Sequence, residues 1–172
     1  MDFWVPDASS GEIVSSSELV AEAPLGAMAR WQRLRNGARF PGRADELMAL
    51  VGDNTLLVRV IGDGQDYEYR RVGQALVAGF GMDFSGQRLS EIEANTPRFG
   101  IGLRMLYEMV RSSAEPLCYR GWAGLDMSGA QFLYYESAIL PFGVDQDRVD
   151  HILVVSVLVL RDKDSLPQRL KV

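Results

Sequence analysis

Polar and apolar residues change their period several times along this chain, and each change predicts an element. Leu25, Met28, Trp31 and Leu34 recur at a spacing of three behind Pro24, which predicts a helix over Leu25–Asn36. Phe40-Pro41 breaks that helix, and Asp45 is placed to cap a second short one over Glu46–Val51. The period then drops to two. Leu56, Val58 and Val60 alternate with Thr55, Leu57 and Arg59, as in a strand with one apolar face. Gly62-Asp63-Gly64 turns the chain into a second strand, Tyr67–Val72.

Gly73 ends that strand by admitting backbone angles that a larger residue resists. Ala75, Leu76, Val77 and Phe80 form a short apolar turn of helix, closed by Gly81 as a C-terminal cap. Ser85-Gly86 is turn chemistry, and Ser90 with Glu93 has capping-box spacing. Thr96 and Pro97 then open the longest helix, Pro97–Ser113, with Phe99, Leu103, Leu106 and Val110 on its inner face. Gly100 and Gly102 each lower its stability by about 1 kcal/mol relative to Ala. They allow close packing on a sheet, or leave room for a ligand. Three strands finish the pattern: Leu117–Leu125, Ala130–Leu140 and His151–Arg161, with turns at Asp126–Gly129 and Gly143–Asp147. Strands, helices and strands again predict an α+β layer architecture.

Four segments, in order, resemble the PAS fold family, most closely a bacterial group of short stand-alone PAS proteins. They are WQRLRNGARFPGRAD at Trp31–Asp45, YRRVGQAL followed by FGMDFSGQRLSEI between Tyr69 and Ile92, YYESAILPF at Tyr134–Phe142, and VDHIL at Val149–Leu153. Together they span Leu25 to Arg161. The resemblance implies one five-stranded antiparallel sheet in the order 2-1-5-4-3, counted from Thr55, with the last strand in the middle. Short helices and one long helix would lie on one face, preceded by an N-terminal helical extension. The expected division is an acidic segment at 1–23, the extension at 24–52, the PAS-like domain at 53–161 and a tail at 162–172.

Charge and composition narrow the function. The 172 residues suit one domain, and a net charge of −5 with no basic recognition helix argues against nucleic acid as a partner. The longest apolar run, Ile152–Leu160, is nine residues and is interrupted by Ser156. That is half a membrane span, so a buried strand is expected and no membrane insertion. The N-terminus lacks the basic-then-apolar pattern of a signal peptide, so a cytoplasmic location is expected. The first 23 residues carry five acids and no base. They read as a mobile acidic tail, or as an arm packed through Phe3, Trp4, Ile13 and Val14. Arg30–Arg43 holds five arginines and no acid. This is a solvated helix face, or a surface that meets the acidic tail or an acidic partner.

Catalytic and metal-binding patterns are scarce. The single histidine, His151, opens a strand beside Asp150 and reads as a hydrogen-bonded strand-edge residue. Pro97–Ser113 has no histidine or cysteine to bind a haem, and the lone Cys118 lacks the helical context of a flavin adduct. Arg120 shares a strand face with Cys118, yet a buried structural cysteine is the default. Haem, covalent flavin and a metal are therefore not expected. No spacing singles out a pair among Glu91, Glu93, Asp145, Asp147 and Asp150, and Gly79-Phe80-Gly81 lacks the Lys and Ser/Thr of a phosphate loop. Phe80, Leu103, Tyr107, Tyr119 and Trp122 are expected to converge between the long helix and the sheet, with Gly102 keeping a gap open for a small apolar ligand. Leu25, Met28, Trp31 and Leu34 are the candidate homodimer contact, the competing outcome being that their helix folds back on its own sheet. The expectation is a non-enzymatic sensory or interaction module in bacterial signalling, acting on a separate signalling protein in trans. The alternatives are a ligand-free dimerisation scaffold, or a small α+β enzyme or carrier for an apolar substrate.

Overall fold

The computed structural model describes residues 8–42, 44–124, 126 and 131–160. Its centre is an antiparallel sheet of six strands: β1 (Ser10–Val14), β2 (Thr55–Ile61), β3 (Asp66–Val72), β4 (Leu117–Trp122), β5 (Phe132–Phe142) and β6 (His151–Leu160). The spatial order is β1-β4-β5-β6-β2-β3. β6 lies between β5 and β2, and Ile152, Leu153, Val154 and Val155 are all buried, so its apolar run needs no alternation.

Helices cover both faces. Along β5, Tyr135, Ser137 and Ile139 face α3 (Gln74–Phe80) and α5 (Pro97–Ser113), with α4 (Leu89–Asn95) packed along α5. The opposite face of β5 and β6 carries α1 (Glu22–Arg35). A short helix, α2 (Ala44–Met48), precedes β2, with Leu47 buried in the core. Among the described residues, no helix is long and apolar enough to cross a membrane.

The architecture is α+β, and six strands replace the expected five. The addition, β1, comes from the segment expected to be a mobile acidic tail. It pairs with the open edge of β4, from Ser10 opposite Trp122 to Val14 opposite Cys118. Apolar burial does not hold it there, since Ile13 is 50% exposed; Phe3 and Trp4 lie outside the described residues. Backbone pairing does, with Arg120 bridging to Glu12 at 2.7 Å and Glu18 at 3.7 Å. Glu12 and Glu18 therefore meet Arg120, while in the arginine-rich stretch Arg35 pairs with Glu115 at 3.0 Å.

Several local expectations change as well. α1 opens at Glu22 and contains Pro24 in its first turn, where the missing N–H is not needed. α2 starts earlier than Glu46, which places Asp45 inside the helix and not at its cap. α4 starts at Leu89, and Glu91 accepts the Arg88 backbone N–H at 2.6 Å. Ser90 is no cap: its hydroxyl donates to Asp66 at 2.7 Å, while Glu93 takes Arg104 at 2.7 Å. The strand bounds also shift: β4 ends at Trp122 and β5 runs on to Phe142, while residues 127–129 of the foreseen turn, the Phe99 side chain and the tail at 162–172 fall outside what is described. α5 has the expected bounds, and Leu106 and Val110 of its inner stripe are buried.

Gly73 corrects a physical reason. Its φ of −69° and ψ of 149° are open to any residue. A Cβ there would instead collide with the backbone carbonyl oxygens of Gly52 and Asp53, so close approach of two chain segments demands the glycine. Because backbone cannot swing aside as a side chain can, Gly73→Ala is expected to lower stability by about 1–3 kcal/mol in urea unfolding.

The candidate dimer stripe takes its competing outcome. Trp31 is 0% exposed and its indole N–H donates to the Pro141 carbonyl at 2.7 Å. Met28 and Leu34 pack partly buried against the same core, and Leu25 is half-buried. The contact foreseen between copies through Trp31 is thus made within one copy, because the uncovered face of β5 and β6 offers the helix a partner in its own chain.

Candidate functional site

Between α5 and the sheet lies a cavity of about 230 Å³. α3 contributes Leu76 and Phe80, α5 contributes Gly102, Leu103, Leu106 and Tyr107, and the sheet supplies the floor. The helices stand over that floor because the α5 stripe Leu103–Leu106–Tyr107–Val110 needs an apolar surface to cover. A Cβ built on Gly102 meets nothing within 4 Å, so this glycine borders open space.

Five of the six residues predicted for the pocket line it: Phe80, Gly102, Leu103, Tyr107 and Tyr119. Trp122 does not. It is three residues from Tyr119 on one strand, so it points to the other face, where its ring lies 4.9 Å from that of Tyr134. Strict alternation from Tyr119 carries that information, and weighting aromatic character over parity obscured it.

Other lining residues were not foreseen. Ser137 and Ile139 follow the expected Tyr135 in alternation along β5, and Val154, Ser156 and Leu158 alternate along β6. Ser156, the polar interruption in the longest apolar run, was the visible signal. Its hydroxyl lies 2.6 Å from that of Ser137, and both are buried. Ser9, Ser10 and Gly11 close one side, so the N-terminal strand is part of the wall. A Cβ on Gly11 would run into the Tyr119 ring, which lies over the strand there. No sequence pattern in that strand announces this role.

The rim of α5 is tied down by charge. Arg104 bridges Glu93 of α4 and Asp66 of β3, and Arg111 bridges Glu108 and Asp63. Tyr67 donates its hydroxyl to Glu108, and burial followed by that carboxylate drives the phenol well above its ordinary pKa. Burial has the same effect on Tyr69 and Tyr107, whose hydroxyls lie 3.0 Å apart. Burial also lifts the Tyr135 hydroxyl, aided by Tyr119. These phenols are neutral hydrogen-bonding groups at physiological pH, which removes them as ready general bases.

The remaining candidate groups lie elsewhere. Cys118 is 4% exposed on the α1 face, and burial, then Glu136, pushes its thiol up and away from a reactive thiolate. His151 stacks on Phe142 at 5.3 Å and holds Asp150 at 2.6 Å, outside the cavity lining. Asp145 accepts the Asp147 backbone N–H, and Asp150 accepts that of Val144, in the turn before β6. Among the described residues, no three His, Cys, Asp or Glu gather to hold a metal ion.

Fold and site together define an α+β protein with a six-stranded antiparallel sheet and a partly open, mainly apolar cavity under its longest helix. No protein-family model matches the chain, and neither a curated protein nor a solved structure matches it significantly.

Proposed function

We propose that this chain is a non-enzymatic, PAS-like sensory or interaction module that holds a small apolar molecule between α5 and the sheet. The observation that carries the reading is the cavity itself, about 230 Å³ and walled mostly by apolar side chains. An engineered apolar void of about 150 Å³ admits benzene, so this one suits a molecule of roughly ten heavy atoms. The succession β3-β2-β6-β5-β4 within the sheet supports the PAS resemblance, with β1 added beside β4.

Neighbouring residues of β5 connect the cavity to the far face. Ser137 lies on the cavity floor, while the Glu136 carboxylate accepts the backbone N–H groups of Val20 and Ala21 just ahead of α1, each at 2.8 Å. A ligand that prefers one setting of β5 would bias the position of α1, and a separate signalling protein would read that change.

Benzene binding, read by thermal denaturation, tests the site. The wild type should be stabilised by benzene, and Gly102→Leu should abolish that shift. The unliganded variant should keep its stability or gain up to about 1 kcal/mol from better helix propensity. A destabilisation of roughly 1–3 kcal/mol from overpacking, with no benzene shift in the wild type, would sink the ligand reading and favour a packed scaffold.

A further inference from the structure

We infer that the cavity takes a neutral, planar aromatic molecule bearing one N–H or O–H, and that this donor is seated on the Ser137 hydroxyl oxygen. The inference rests on the reading of the cavity as a ligand site and specifies what that site selects.

Neutrality follows from the lining. No Asp, Glu, Lys, Arg or His is among the described residues that border the cavity. A charged ligand would lose hydration there and meet no counter-charge among those residues. Planarity follows from the rings. Phe80 meets Phe132 edge to face at 5.5 Å and 86°, and Phe132 meets Tyr135 at 5.8 Å and 89°. A flat aromatic guest extends such an arrangement, which a branched aliphatic one does not.

The donor follows from counting protons. Each serine hydroxyl has one proton to give and two lone pairs. Ser156 Oγ lies 2.6 Å from Ser137 Oγ and 3.4 Å from the Glu136 carbonyl oxygen, which can only accept. One arrangement serves both contacts: Ser137 donates to Ser156, and Ser156 donates to the carbonyl. Ser137 Oγ is then left with acceptor capacity alone. Tyr107 is paired with Tyr69, and Tyr135 with Tyr119, each pair sharing one proton and keeping a second to give. The acceptor on the cavity floor is therefore the Ser137 oxygen, and there the guest is asked for a hydrogen-bond donor.

Indole and indene share a shape and differ in the N–H, so calorimetric titration of both against the full chain tests the assignment. Ser137→Ala should weaken indole by about three- to tenfold, as expected for one neutral hydrogen bond. Indene should bind wild type and variant alike. In the wild-type complex, the N–H of 15N-indole should be protected from solvent exchange and show a contact to the Ser137 β-protons, a readout that does not depend on the variant folding. Loss of indole and indene affinity by the same factor, or an indole N–H that exchanges freely, would overturn the donor assignment while leaving the cavity a ligand site. Absence of binding by either compound up to about 1 mM, a very weak affinity, would overturn the ligand reading with it.

Discussion

Trp31→Ala is expected to lower the unfolding free energy by about 3–5 kcal/mol, the range for removing a buried large aromatic. Trp31 is fully buried between α1 and the sheet, and its truncation would also leave the Pro141 carbonyl without its 2.7 Å partner. Urea unfolding gives the number. Trp31→Phe separates the contributions, since it retains much of the ring volume and removes the indole N–H. Its cost should fall well below that of the alanine variant, at about 1–3 kcal/mol for the unsatisfied carbonyl and residual void. A tryptophan that served chiefly as a contact between copies would behave differently. Its alanine variant would keep nearly all of the wild-type stability and change only in sedimentation. That result would return α1 to the role of an association helix.

The same residue shows what periodicity can and cannot convey. Spacing of three places Leu25, Met28, Trp31 and Leu34 on one stripe, but a stripe does not say what covers it. The answer depends on the uncovered far face of β5 and β6, and strand order is set by tertiary contacts. The bounds of α5 were legible because Pro97 in its first turn and the apolar stripe are local signals that agree, although Thr96 makes no side-chain cap there. β1 was hidden for the opposite reason. Ser-Gly-Glu-Ile-Val carries no apolar alternation, and its partners are the backbone edge of β4 and the distant Arg120. Ser90 misled as a cap because its acceptor, Asp66, comes from another strand 24 residues earlier. In the cavity, α5 and the aromatic positions pointed the right way, and parity would have removed Trp122. The Ser137–Ser156 pair needed the β5–β6 register, in which those two residues stand opposite each other.

Glu136→Ala is expected to cost about 3–5 kcal/mol and to loosen the N-terminal third of the fold selectively. This carboxylate is 1% exposed and accepts three hydrogen bonds, from the backbone N–H of Val20 and Ala21 and from the Tyr134 hydroxyl at 2.7 Å. Removing it leaves three donors without an acceptor, each costing about 1–3 kcal/mol unless water reaches it. The Val20 and Ala21 amides join β1 to α1, so hydrogen exchange should accelerate across residues 9–21 and the first turn of α1 before it does in β5 or β6. Glu136→Gln keeps the volume but offers one acceptor oxygen and turns an NH2 group toward the remaining donors, so about 2–3 kcal/mol should still be lost. Glu12→Ala is the control. Glu12 pairs with Arg120 at the surface, and its loss should stay within about 1 kcal/mol. If Glu136→Ala were no more costly than Glu12→Ala, and exchange across residues 9–21 unchanged, the strand and α1 would be held by their own packing. The proposed route from the cavity floor through β5 to α1 would then lose its connecting group.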